Sequence, residues 1–181
     1  MRRTATGVFG GRSKTNRQTG SARLAGARAS AAIGSVTDAE LAARFDTRFN
    51  GPKFQPWTGW VSFDVADPYF YDPTPDTADD IPADKIDFLT VAYHELGHIL
   101  GVGGSDAWDS LLDGETFIGT HAVAAYGGPV PLASGSTSHF DDAIMSDGRR
   151  MTMDQSDPPG ERFPPTTLDL AVLADLGYTI R

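Results

Sequence analysis

Between Ile86 and Gly101 the apolar residues Ile86, Phe88, Leu89, Ala92, Leu96, Ile99 and Leu100 recur at the spacing of an amphipathic helix, and glycine follows at once at Gly101, Gly103 and Gly104. The run predicts one helix, capped by Asp84, with Asp87 in the first turn where the helix dipole favours an acid. Inside it stands His94-Glu95-Leu96-Gly97-His98. Residues four apart lie one turn above each other, so both imidazoles face one point and can bind one ion at about 2.0–2.1 Å. Glu95 sits beside that face, near enough to reach a water on the ion without binding the ion itself. Zinc lowers the pKa of its water towards about 7, and a carboxylate so placed removes the proton as the water attacks a carbonyl. The combination suits amide hydrolysis. Two surface histidines that happen to sit a turn apart are the bland alternative, and the apolar residues that bury this helix argue against it.

The chain has 181 residues, enough for one domain that buries a core without cross-links. Cysteine is absent, which excludes disulfides and thiolate metal ligands. No apolar run approaches a membrane span, so no membrane role is expected. The net charge of -9 is unevenly spread: residues 1–30 carry seven Arg or Lys and no acid, and the rest carry eight bases against 24 acids. The first segment is rich in Gly, Ser, Thr and Ala and has few large apolar residues, so burial cannot offset its ordering entropy. Residues 1–35 are therefore expected to be a disordered basic tail and residues 36–181 one catalytic domain. A solvated tail, a propeptide remnant or a misplaced start codon is preferred there to a nucleic-acid arm, and no nucleic-acid partner is expected. Arg2-Arg3 is followed by no apolar stretch, so no signal peptide is recognised.

Elsewhere the patterns are shorter. Residues 40–50 alternate imperfectly and read as a strand, though a short helix is also compatible. In "WTGWVSFDV" Trp60, Ser62 and Asp64 share one face and Val61, Phe63 and Val65 the other, a strand pattern. Residues 66–83, dense in proline and aspartate, predict a loop with aromatic anchors; its acids are a candidate calcium (Ca2+) site, weighed against an ordinary solvated loop. From Ser105 to about Pro165 no long period survives, and irregular structure is expected. "TTLDLAVLADLGY" predicts a last helix capped by Thr166 or Thr167 and closed by Gly177, with Leu168, Val172, Leu173 and Leu176 buried.

"HELGHILG" resembles the HExxHxxG of metzincin zinc proteases, in which the glycine turns the chain so that a residue three positions later completes the site. Here that position is Gly104, which has no side chain to offer, so strict matrixin or astacin geometry is excluded. The upstream "WVSFDV", a methionine turn downstream and the closing "LDLAVLADLGY" nevertheless look like matrixin-like proteins over residues 36–181. In the leishmanolysin-like branch the third histidine arrives after an insertion, in a Ser-His-aromatic context, and "TSHFDD" is similar to it at His139. The resemblance implies an α+β zincin domain: a small twisted mixed sheet packed on the active-site helix, and a mostly irregular C-terminal half ending in a helix. It also implies that Met153, in "MTMDQS", floors the site, with Met145 as the reserve, and that the upstream strand pairs with an extended substrate.

A catalytic zinc takes three protein ligands and one water. On ligand preference and resemblance together His139 is the leading third ligand, ahead of His121 and of Asp106 and Asp109. A thermolysin-like site would instead use Glu115, whose flanking Gly114 and Gly119 make a poor helix. Trp108, Phe117, Tyr126 and Phe140 are candidates for a substrate pocket or, alternatively, for the core. The expectation is thus a monomeric, secreted zinc (Zn2+) endopeptidase acting on peptides or proteins, secretion being implied by the resemblance alone. Its ligands would be His94, His98 and His139 and its base Glu95. A non-catalytic zinc- or calcium-binding module with a vestigial site is the alternative.

Overall fold

The computed structural model describes residues 25–30, 53–56 and 58–181. It is an α+β structure. Strand β1, Ala25–Ser30, runs antiparallel to β2, Thr58–Phe63, with Ala27 opposite Val61. β1 lies inside the stretch 1–35 expected to be a tail; the other residues of that stretch, and the strand expected at 40–50, lie outside the described residues. β2 shows the alternation its sequence requires, with Val61 and Phe63 half-buried and Trp60 and Ser62 exposed. It ends at Phe63 because Asp64 turns the chain, its Oδ1 accepting the Ala66 N–H at 2.9 Å. Val65, expected to continue the buried face, is therefore exposed.

The loop that follows is irregular and held by its aromatic residues. A two-residue strand, β3 (Tyr69–Phe70), pairs in parallel with β4 (Ile86–Asp87). The rings of Phe63 and Tyr71 lie 4.7 and 4.8 Å from that of Phe88, and Tyr69 meets Phe88 edge-on at 5.8 Å. Arg162 pins the loop from the far side: its guanidinium bridges Asp72 and Asp87 and donates to the carbonyls of Pro75 and Thr77. Asp72, one of the acids considered for calcium, is committed to that ion pair.

Helix α1 spans Phe88–Ile99. Its cap is Asp87 and not Asp84, because Ile86 and Asp87 are drawn into the extended pairing with β3; the Asp87 carboxylate accepts the Thr90 N–H at 3.0 Å. The helix ends as its glycines require, with Gly101 at φ +109° packed against the Phe54 ring. Thr90, Val91, His94, Glu95 and Gly97 are its buried residues, and Leu96, expected on the buried face, is half exposed.

The expected single mixed sheet is replaced, among the described residues, by four small ones. β1 and β2 pack on α1. β5 (Leu112–Asp113), β6 (Thr116–Phe117) and β7 (Val130–Pro131) form an antiparallel trio, and β8 (Met145–Ser146) and β9 (Arg149–Arg150) a hairpin. Helices α2 (Asp106–Asp109) and α3 (Thr120–Tyr126) also interrupt the stretch expected to be irregular. Helix α4, Thr167–Asp175, carries the capping box its sequence encodes, with Thr166 as cap and Asp169 three residues on. Leu168, Val172 and Leu176 are buried, as the stripe predicts, and Gly177 closes the helix at φ +98°. They join Trp108, Phe117 and Phe140, whose rings lie 4.7–5.9 Å apart at the centre of the main core. These three aromatics are core, not pocket; Tyr126 is partly exposed. No described helix is long and apolar enough to cross a membrane.

Candidate metal centre

His94 and His98 project from one face of α1, and His139 arrives from the loop before Phe140. Two backbone anchors set that arrival. Ala133 N–H bonds the His139 carbonyl at 3.0 Å, and Phe140 N–H bonds the Met153 carbonyl at 2.9 Å. His139 is thereby fixed between the chain after β7 and the turn at Thr152–Met153. The three Nε2 atoms stand 3.1 Å (His94 to His98), 3.2 Å (His98 to His139) and 3.2 Å (His139 to His94) apart.

The hydrogen bonds on the other ring nitrogens decide what those Nε2 atoms can do. His94 Nδ1 faces the Thr152 carbonyl at 2.9 Å and His98 Nδ1 faces the Val102 carbonyl at 2.9 Å. A carbonyl only accepts, so both Nδ1 atoms carry the proton and both Nε2 atoms present lone pairs. Burial pushes the His94 imidazole below its ordinary range, and burial with the neighbouring ring takes His98 to about 4 and His139 to about 3. All three rings are neutral near pH 7. Three neutral imidazoles converging in this way could hold a metal ion, and their spacing fits: a tetrahedral ion with bonds of about 2.0–2.1 Å would hold its nitrogens about 3.3 Å apart. The three histidines lie close enough to hold a metal ion.

Among the described residues no other set of three His, Asp or Glu gathers in this way. His121 is exposed in the first turn of α3, its backbone N–H bonded to Asp175 at 2.8 Å. Asp106 and Asp109 are exposed on α2, and Glu115 is exposed between β5 and β6. None of these alternatives joins the histidines. Glu95, next to His94 on α1, is 7% exposed. Met153 is buried and its sulfur abuts Gly97, between the two helical histidines, where even a methyl group would overlap it. Met145 is exposed on β8.

Several supporting groups are not apparent from the sequence. Asp169 accepts from Thr152 N–H at 3.1 Å and Met153 N–H at 3.3 Å, besides Thr166 N–H at 2.8 Å, so the α4 capping box also holds the turn whose carbonyl orients His94. Its T-x-x-D spacing is visible in the sequence; its second grip is not. Trp108 Nε1 donates to the Thr137 carbonyl at 2.8 Å, tying the His139 loop to α2. No protein-family model, curated protein or solved structure matches the chain.

Proposed function

We propose that the chain is a zinc-dependent endopeptidase of the metzincin kind, with the third histidine delayed to position 139. The observation that carries the reading is the convergence of three imidazole Nε2 atoms, with the buried Glu95 next to His94 in the chain. His94, His98 and His139 would hold the metal, and Met153 would floor the site beneath Gly97. A bound zinc ion supplies a Lewis acid for the peptide carbonyl and lowers the pKa of a water towards about 7. Glu95 accepts the proton of the attacking water and delivers it to the leaving amine nitrogen. The carbonyls of Thr152 and Val102 keep the helical imidazoles in the ligating tautomer throughout. An extended peptide would pair along β2, where backbone pairing would give affinity for many sequences.

The test is hydrolysis of casein by zinc-loaded protein, with and without a chelator, for the native chain and Glu95→Gln. Chelation is expected to abolish cleavage. Glu95→Gln should keep its zinc and lose about 10²–10⁴-fold in rate, the usual contribution of a general base. Undiminished cleavage by Glu95→Gln would remove Glu95 from the mechanism. Stoichiometric zinc with no cleavage by the native chain would instead favour a non-catalytic metal-binding module.

A further inference from the structure

The third imidazole is oriented by a different kind of group from the other two. His94 and His98 bond carbonyl oxygens, whereas His139 Nδ1 faces two hydroxyls, Ser138 Oγ at 3.0 Å and Ser136 Oγ at 3.4 Å. Ser136 is itself engaged: its Oγ accepts the backbone N–H of Ser138 and of His139, both at 3.2 Å, closing a tight turn. The two hydroxyls lie 3.4 Å apart. Gly103, at φ +72°, lies directly against Ser138, so the loop is pressed onto the chain leaving α1.

We propose that Ser138 is the positioning residue of the third ligand, its hydroxyl accepting from His139 Nδ1–H at 3.0 Å. A carbonyl fixes an imidazole tautomer outright. A hydroxyl accepts or donates, so it fixes His139 only while that ring's Nε2 is engaged by a metal. His139 is then the ligand that is released first, and Ser138 governs how firmly the ion is kept. This rests on the three-histidine metal reading and is independent of whether the site cleaves peptides.

The experiment measures Zn2+ affinity by competition with a chromophoric chelator for the full chain and for Ser138→Ala. It is accompanied by metal-free melting curves and by imidazole ¹⁵N NMR of the zinc-loaded forms. Ser138→Ala should bind zinc about 10–100-fold more weakly, the usual effect of losing a ligand's hydrogen-bond partner. Its metal-free melting temperature should be unchanged, and its His139 Nδ1–H should exchange with solvent while those of His94 and His98 stay protected. Native affinity in Ser138→Ala, a His139 Nδ1–H that stays protected, or a metal-free form that melts earlier would each overturn the proposal. Failure of the native chain to take up zinc would overturn the metal reading beneath it.

Discussion

At Gly103 and Gly104 the same substitution is expected to have very different consequences. Gly104 stands where a nearby third ligand would be sought, yet a side chain there would meet nothing within 4 Å. Gly103 is the constrained one of the pair, since its φ is +72° and an added Cβ would fall 2.5 Å from Ser138 Cβ and 2.6 Å from its carbonyl oxygen. Alanine at 103 meets both the left-handed strain of about 1–2 kcal/mol and a backbone overlap that pushes the 136–139 loop away. Gly103→Ala is expected to weaken zinc binding at least about 10-fold and to lower the melting temperature, while Gly104→Ala stays within about 0.5 kcal/mol of the native chain. Calorimetry with a zinc titration checks both. The helical histidines were legible because a period of 3.6 fixes their geometry. His139 was reached through its Ser-His-Phe context, and the fit of Gly103 against Ser138 was not legible at all, since it depends on two loops 35 positions apart in the chain.

Among the elements, α4 does more for the site than its own sequence reveals. The Asp169 carboxylate caps the helix through Thr166 and at the same time takes the backbone N–H groups of Thr152 and Met153. Burial raises its pKa, and the bonds from Thr166, Thr152 and Met153 pull against that rise. Asp169→Ala leaves several buried donors without a partner, at about 1–3 kcal/mol each. A total loss of about 3–5 kcal/mol is expected in urea unfolding. Zinc binding should weaken as well, because the turn that orients His94 is loosened; a variant with native stability would contradict this role. The helices α1 and α4 and the strand β2 were legible because each shows its period over six residues or more. The displaced cap of α1 was not, because a pairing with β3 overrode the local preference for Asp84. Two-residue strands carry no period, although Asp147-Gly148, both at positive φ, was a hairpin signal ahead of β9.

In the molecule as a whole, α1 joins two clusters of buried side chains. Val91 belongs to the aromatic group with Tyr69 and Ile86, whereas Gly97 rests on Met153 of the main core. His94 and Glu95 lie on the helix between them. Arg162 fastens the same junction: it holds Asp87 at the helix start, and the neighbouring Phe163 N–H bonds Thr90 Oγ1 at 2.9 Å. An α+β class was legible from one long helical period, one alternating strand and a capped last helix. The division into small sheets was not, because each pairing joins segments whose own sequence gives no register. On the proposed reading, one ion is held at this junction by three imidazoles, two from α1 and one from the loop that the main core anchors. X-ray absorption at the zinc edge counts those imidazoles, on the zinc-loaded chain and on His139→Ala. Three at about 2.0–2.1 Å are expected, falling to two in the variant. A native spectrum with only two imidazoles, or one that His139→Ala leaves unchanged, would contradict it.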